Sequence, residues 1–202
     1  LQKIISKILL NMTKTILYFH GFKSSSESSK AQSLNKFILE STKKTKIIIP
    51  DLNDNFEDAY NQINILIKSI GTNILFVGSS LGGYYASYFS QIHNSKAVLI
   101  NPAIPPLKDF DMYLGDNENY SNGNKFHISK EDIKLIRSMH HKKLSHPENI
   151  MVLLESGDEV LKYKDTASYF SGAHFDILYG GDHSYTTFKT KFNKIYNFLE
   201  IN

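Results

Sequence analysis

Six short, almost unbroken apolar runs recur along the chain and constrain its fold more than any other feature. They are Thr15–Phe19, Lys46–Ile49, Asn73–Val77, Lys96–Ile100, Ile150–Leu154 and His174–Tyr179. Short runs rich in Ile, Val, Phe and Tyr indicate strands. Continuous rather than alternating apolar character indicates strands covered on both faces, which is typical of a parallel sheet.

Segments with helical spacing of apolar residues separate these runs. The first stripe contains Ala31, Leu34, Phe37 and Ile38 and follows the serine-rich segment at 24–29, whose serines are N-cap candidates. Later stripes cover 56–70, 81–92 and 188–199. Strands that alternate with helices predict βαβ crossovers and an α/β fold with a mostly parallel, doubly wound sheet of about six strands.

Residues 103–148 interrupt this alternation. They contain no strand signal, a polar segment at 115–125 (GDNENYSNGNK) and helical spacing near 131–139. Because a structureless loop of that length is unusual inside a compact domain, we expect a lid of short helices inserted here. The chain is therefore predicted to have an N-terminal extension at 1–11 and a single domain over 12–202.

Composition and charge exclude several classes of protein. The formal net charge of +3 on 202 residues is small and the lysines are scattered, which argues against nucleic acid as a partner. The absence of cysteine excludes a thiol nucleophile and thiolate metal sites, and it agrees with a cytoplasmic location. No run of about 18 apolar residues occurs, so no stable membrane association is expected. Neither a metal nor an organic cofactor is implied, and the oligomeric state stays open.

The segment GSSLG at 78–82 is the strongest chemical motif. It lies directly between a predicted strand and a predicted helix, the context that a nucleophile elbow requires. Glycines are needed there because bulky neighbours would collide at the sharp turn that exposes the serine oxygen. Ser80 is the predicted nucleophile, and Ser79 is the alternative without the symmetric glycine flanks.

A base and a carboxylate follow two later strands. His183 lies in the segment GGDHS after the last predicted strand, and Asp158 lies in ESGDEV after the preceding one. Groups that follow parallel strands meet at one edge of the sheet, so both can reach Ser80. Glu155 and Glu159 remain alternatives to Asp158. The order Ser80, Asp158, His183 is the chain order of the α/β-hydrolase triad.

The loop after the first strand is the candidate oxyanion loop. Its segment His20-Gly21-Phe22 nominates the backbone N–H of Phe22, and the residue after the nucleophile nominates that of Leu81. His20 is interpreted as a residue that shapes this loop, not as a base. Six aromatic residues are candidates for an apolar acyl pocket: Phe22, Tyr84, Tyr85, Phe110, Tyr113 and Phe126.

Several of these segments, in this order, resemble one known family. YFHGF, GSSLGGYYAS, NPAI at 101–104, LLESGDEVL, GGDHSYTTF and the stretch 113–126 are similar to the YqiA-type esterases, small bacterial α/β-hydrolases. The resemblance covers about residues 15–199. It implies an α/β-hydrolase fold without the usual first strands, an esterase or acyl-thioesterase activity and a cytoplasmic site. It also implies Ser80 as nucleophile, Asp158 as acid and His183 as base.

The resulting expectation is a serine carboxylic-ester hydrolase that acts through an acyl-enzyme on a small-molecule ester. Two alternatives stay open. One is an acyl-CoA thioesterase with the same triad, in which lid lysines would meet phosphates: Lys108, Lys125, Lys130 and Lys134. The other is a catalytically inactive binding module on the same fold.

Overall fold

All six predicted strands form, and they lie side by side in one sheet. The computed structural model describes residues 13–201. The sheet contains β1 (Lys14–Phe19), β2 (Thr45–Ile48), β3 (Ile74–Ser79), β4 (Ala97–Ile100), β7 (Ile150–Glu155) and β8 (His174–Leu178). Its order is β2-β1-β3-β4-β7-β8, and every neighbouring pair is parallel. The predicted fold class is confirmed.

Helices cover both faces of the sheet. They are α1 (Ser29–Ser41), α2 (Phe56–Ile70), α3 (Leu81–His93), α4 (Lys130–Ser138), α5 (Tyr163–Tyr169) and α6 (Phe192–Phe198). Alternate strand residues point into two separate cores: Leu17 and Phe76 pack against α2 and α3, whereas Ile16 and Val77 pack against α1 and α6. Burial on both faces explains why the four central strands β1, β3, β4 and β7 are continuously apolar, whereas the edge strands β2 and β8 are partly exposed.

The strand order creates the position of the site. From β1 the chain crosses to β2 on one side, then returns to β3 on the other side of β1. Connections therefore leave β1 and β3 in opposite directions, and a crevice opens between the carboxyl ends of these strands. Ligands of open α/β sheets bind at such a switch point. His20 follows β1 and Ser80 follows β3, so both lie at this crevice.

The insertion between β4 and β7 differs from its prediction. It holds the expected helix α4, but also an antiparallel hairpin of β5 (Gly115–Glu118) and β6 (Lys125–Ile128) where only short helices were expected. The hairpin escaped prediction because Gly, Asp and Asn have low strand propensity. Tertiary contacts hold it instead: the Asn119 amide at its turn donates to Asp54 (2.8 Å to Oδ1).

Three helical details also depart from expectation. Helix α5 has a single buried residue, Thr166, and so carries no apolar stripe by which to predict it. The predicted last helix is split into a 3-10 segment at Phe188–Lys191 and α6. Ser28 is the N-cap of α1, but its side chain makes no capping hydrogen bond.

The predicted extension at 1–11 lies outside the described residues. Over residues 13–201, no helix has the length and apolar character needed to cross a membrane.

Candidate active site

Ser80 lies on a strained turn between β3 and α3. Its backbone has φ 55° and ψ −121°, a conformation that costs a non-glycine residue of the order of 1–3 kcal/mol. Two glycines permit the turn: a Cβ at Gly78 would overlap the backbone of Gly82, and one at Gly82 would overlap the carbonyl of Phe19. Hydrogen bonds pin the turn to the sheet, since the Ser80 N–H donates to the carbonyl of Ile100 at 3.0 Å.

His183 reaches this serine from the loop after β8. Its Nε2 lies 3.1 Å from Ser80 Oγ, and its Nδ1 lies 2.8 Å from Asp158 Oδ2. A carboxylate only accepts hydrogen bonds, so Nδ1 carries the proton and Nε2 is free to accept from the serine hydroxyl. This is the tautomer a general base for Ser80 requires.

Asp158 is fixed on both of its oxygens. Oδ2 accepts from His183, whereas Oδ1 accepts from the backbone N–H groups of Val160 (2.8 Å) and Leu161 (2.7 Å). The Asp158 side chain is only 2% exposed, while the imidazole of His183 is 22% exposed. The carboxylate is therefore screened from solvent, and the imidazole stays open toward the crevice.

The sequence alternatives take other positions around the same loop. Glu159 accepts the backbone N–H of His183 at 3.0 Å rather than its ring. Glu155 is fully buried and accepts the backbone N–H of Asp182 at 2.8 Å. Ser79 is the last residue of β3 and makes no hydrogen bond to His183. Among the candidates, the structure thus brings together Ser80, His183 and Asp158.

The loop after β1 packs directly against the elbow. A Cβ at Gly21 would lie 3.5 Å from the Cβ of Ser80. Within residues 13–201, neither the Phe22 nor the Leu81 N–H donates to a protein acceptor. Leu81 is the first residue of α3, where backbone N–H groups have no partner inside the helix and the dipole favours negative charge. Both amides thus lie in segments next to Ser80 and have no protein acceptor among the described residues.

His20 has a structural position beneath this loop. Its Nδ1 lies 2.9 Å from the carbonyl oxygen of Gly21, and its Nε2 accepts the N–H of Leu52 at 3.0 Å. Burial lowers the pKa of His20 and outweighs the opposing effects of the Gly21 hydrogen bond and of Asp51 and Asp54. A neutral imidazole whose two nitrogens are both in hydrogen bonds within the protein is not free to act as a base.

A cavity of about 410 Å³ opens over Ser80 and His183. One part of its wall is apolar and includes Phe22, Phe110, Tyr113, Val160 and Leu161. Of the predicted pocket aromatics, Tyr84 and Tyr85 are core residues instead, and Phe126 packs against the Phe22 ring. None of the four lysines predicted to meet phosphates lines this cavity.

One further residue at the site was not predicted from the sequence. Asn101 directly follows β4, and its side chain donates to the carbonyl oxygens of Asp182 (3.0 Å) and His183 (3.3 Å). The sequence signal was an amide side chain directly after a predicted strand, which places Asn101 at the same sheet edge as Ser80 and His183.

Comparison with known proteins supplies the family and the fold. A family model described as "Uncharacterised protein family (UPF0227)" matches residues 15–200. Est1E from Butyrivibrio proteoclasticus has a similar structure, with a TM-score of 0.69, 11% identity, and coverage of 94% of this chain and 88% of that chain. Alpha/beta hydrolase domain-containing protein 10 from mouse has a TM-score of 0.68, 15% identity and coverage of 93% and 90%.

A third similar structure is the esterase domain of a Rhodothermus marinus protein, with a TM-score of 0.64, 15% identity, and coverage of 91% of this chain and 85% of that chain. At such low identity these likenesses concern the fold alone. The family match confirms the resemblance to the YqiA-type family. The chain belongs to the uncharacterised protein family UPF0227, built on an α/β-hydrolase fold.

Proposed function

We propose that this protein is a serine hydrolase of carboxylic esters that acts through an acyl-enzyme. The observation that carries the proposal is the hydrogen-bond chain from Ser80 Oγ through His183 to Asp158, whose first two members line a cavity at the strand switch point. Each member has the partner that its role requires. The esterase domain with the same fold supports the same reaction class.

The reaction proceeds in two halves. His183 Nε2 takes the Ser80 proton as Oγ attacks the acyl carbonyl carbon, and the carbonyl oxygen becomes an oxyanion. When the oxyanion collapses, the ester C–O bond breaks and the alcohol leaves with the proton from His183. Water then attacks the acyl-enzyme, with its proton passing to His183, and the acid is released as Ser80 regains a proton.

The chain's own groups stabilise the charges that form. The Phe22 and Leu81 N–H groups hold the oxyanion, and loss of one such donor typically costs about 3–4 kcal/mol of transition-state stabilisation. Asp158 stabilises the imidazolium of His183 without taking its proton. The aromatic part of the cavity wall binds the apolar portion of the ester.

A fluorophosphonate probe followed by peptide mapping tests the nucleophile. We expect labelling of Ser80 in the wild type and in Ser79→Ala, and none in Ser80→Ala. Hydrolysis of p-nitrophenyl acetate should fall at least about 10⁴-fold in Ser80→Ala, because the attacking oxygen is lost. Labelling of Ser79, or no labelling of folded wild-type protein, would contradict the proposal and favour the inactive binding module.

A matched pair of substrates separates oxygen esters from thioesters. The two substrates carry the same acyl group. In one an oxygen ester releases an alcohol, and in the other a thioester releases a thiol. The proposed function predicts a higher kcat/KM for the oxygen ester. A preference for the acyl-CoA thioester would instead identify the thioesterase alternative, although its expected lysine contacts do not line the cavity.

A further inference from the structure

The loop that carries His183 has no regular secondary structure. Residues 180–187 lie between β8 and the last 3-10 segment, and the backbone bonds to β7 and the turn after it end where the Gly157 N–H donates to the carbonyl of Gly180 at 2.8 Å. His183 must nevertheless stay within 3.1 Å of Ser80 Oγ. Side chains outside the triad therefore fix this loop. Glu159 accepts the N–H of His183 itself at 3.0 Å, and side chains from three other elements hold the residues around it.

Glu155 lies under the loop at the end of β7. Its side chain is 0% exposed, which is rare for a carboxylate. Oε2 accepts the N–H of Asp182 at 2.8 Å, and Oε1 accepts the hydroxyl of Thr187 at 2.6 Å. The backbone packs directly on this carboxylate, since a Cβ at Gly181 would overlap it. No salt bridge to Glu155 forms within residues 13–201.

Asn101 holds the same loop from β4. Its amide nitrogen donates to the carbonyl oxygens of Asp182 and His183, and its Oδ1 accepts the N–H of Glu155 at 3.0 Å. The side chain is buried, at 2% exposed. One amide thus joins the end of β4 both to Glu155 at the end of β7 and to the loop.

Lys30 of α1 provides a third attachment. Its ammonium group donates to the carbonyl oxygen of Ser184 at 2.6 Å. Burial lowers the pKa of Lys30, while Asp182 and Glu155 act to raise it. The two residues on either side of His183 are therefore tied down by α1 on one side and by Glu155 with Asn101 on the other.

We propose that Glu155 and Asn101 are positioning residues, which clamp the 180–187 loop so that His183 reaches Ser80. This inference rests on the proposed function for the identity of the base. The chemistry needed from Glu155 is two acceptors on opposite sides of one planar group. Glutamine keeps one acceptor for Asp182, and its amide nitrogen can donate to the Thr187 hydroxyl instead. Leucine leaves both loop donors buried without acceptors.

Four variants test the clamp. Glu155→Leu removes both acceptors, Asn101→Asp replaces a donor by a carboxylate facing two carbonyl oxygens, and Glu155→Gln is the conservative rescue. Asp176→Asn is the matched control, because Asp176 is a carboxylate on β8 that bonds Lys191 and Lys194 rather than the loop. The readouts are kcat and KM for p-nitrophenyl acetate, the rate of fluorophosphonate labelling, and the proton NMR signal of His183 Nδ1–H.

A displaced base affects turnover more than binding. We expect kcat to fall about 100-fold in Glu155→Leu and Asn101→Asp with KM little changed, since a displacement of about 1 Å can cost this much. Labelling should slow in parallel, and the Nδ1–H signal should broaden or disappear. Glu155→Gln and Asp176→Asn should keep kcat and the signal.

Three outcomes would overturn the inference. They are folded Glu155→Leu with wild-type kcat and Nδ1–H signal, an equal loss of kcat in Asp176→Asn, or a loss confined to KM. If Glu155→Leu fails to fold, Thr187→Val decides, because it removes one bond to Glu155 and should lower kcat about fivefold. If wild-type protein is inactive, the proposed function fails instead, and the Nδ1–H signal still reports on the clamp.

Discussion

His20 is a buried imidazole whose two nitrogens are both used inside the protein. One faces the carbonyl of Gly21 and the other accepts from Leu52, so the residue joins the loop after β1 to the segment after β2. Its geometry agrees with the loop-shaping role inferred from its position after the first strand. The same burial lowers the pKa of His20, and this makes the stability of the protein depend on pH.

The pKa of His20 is lowered by burial from its ordinary 6.5, so the unfolded chain binds a proton at a higher pH than the folded one. Between 6.5 and the lower folded value, stability therefore falls as the pH falls. We expect His20→Gln to be less stable than the wild type at about pH 8, with the gap narrowing at about pH 5.5. Urea unfolding at both pH values measures this. A gap that stays constant would show that His20 does not remain neutral.

At the scale of elements, two effects oppose each other at Gly82 in the strand–turn–helix unit of β3 and α3. Helix propensity favours alanine there, and steric fit requires glycine. Gly82 lies in the first turn of α3, where alanine would ordinarily stabilise a helix by about 1 kcal/mol. A Cβ there, however, would overlap the carbonyl groups of Phe19 and His20. The steric effect is larger, because neither neighbour is a flexible side chain.

We expect Gly82→Ala to lower the free energy of unfolding by about 2–3 kcal/mol and to reduce ester hydrolysis sharply, since the turn that carries Ser80 must shift. Gly115→Ala is the control. Gly115 has φ +95° with no atom within 4 Å of an added Cβ. The Gly115→Ala variant should lose only about 1–2 kcal/mol of unfolding free energy, the cost of this backbone conformation for alanine, and should keep its activity. Thermal unfolding and p-nitrophenyl acetate hydrolysis report both effects; a more stable Gly82→Ala would contradict the steric argument.

At the scale of the whole molecule, one lysine joins the loop after β1 to the insertion at 103–148, the predicted lid. Lys23 directly follows Phe22 in the loop after β1 and is only 8% exposed. Its ammonium group lies 4.9 Å from the ring centroids of both Tyr113 and Tyr120 in the lid. No carboxylate forms a salt bridge with Lys23 in the part of the chain that the structure describes. The aromatic rings are therefore its main electrostatic partners.

We expect Lys23→Met to lower the free energy of unfolding by about 1–2 kcal/mol and to speed proteolysis within residues 103–148, because the cation–π contacts are lost while the apolar stem is kept. Lys23→Arg keeps a cation over the rings and should resemble the wild type. Urea unfolding and limited proteolysis compare the three proteins. Equal loss in the Arg and Met variants would mean that shape, not charge, holds the lid.

The sequence by itself determined the sheet and the identity of the candidate triad. A strand buried on both faces must be apolar throughout, so β1, β3, β4 and β7 are visible as runs in the chain. A local pattern also indicates each residue of the candidate triad, since each lies in a glycine-rich or polar turn directly after a predicted strand. Both patterns depend only on residues that are neighbours in the chain, so both can be recognised in the sequence itself.

Only the tertiary structure decided which carboxylate faces His183 and what holds its loop. Glu155, Asp158 and Glu159 lie within five residues of one another, yet their carboxylates bind different groups. Asp158 binds the ring of His183, Glu159 accepts the backbone N–H of His183, and Glu155 accepts the N–H of Asp182. The hairpin of the lid was likewise set by contacts such as that from Asn119 to Asp54. These choices depend on side-chain direction in irregular loops. Contacts between residues distant in the chain fix that direction, and no local propensity encodes it.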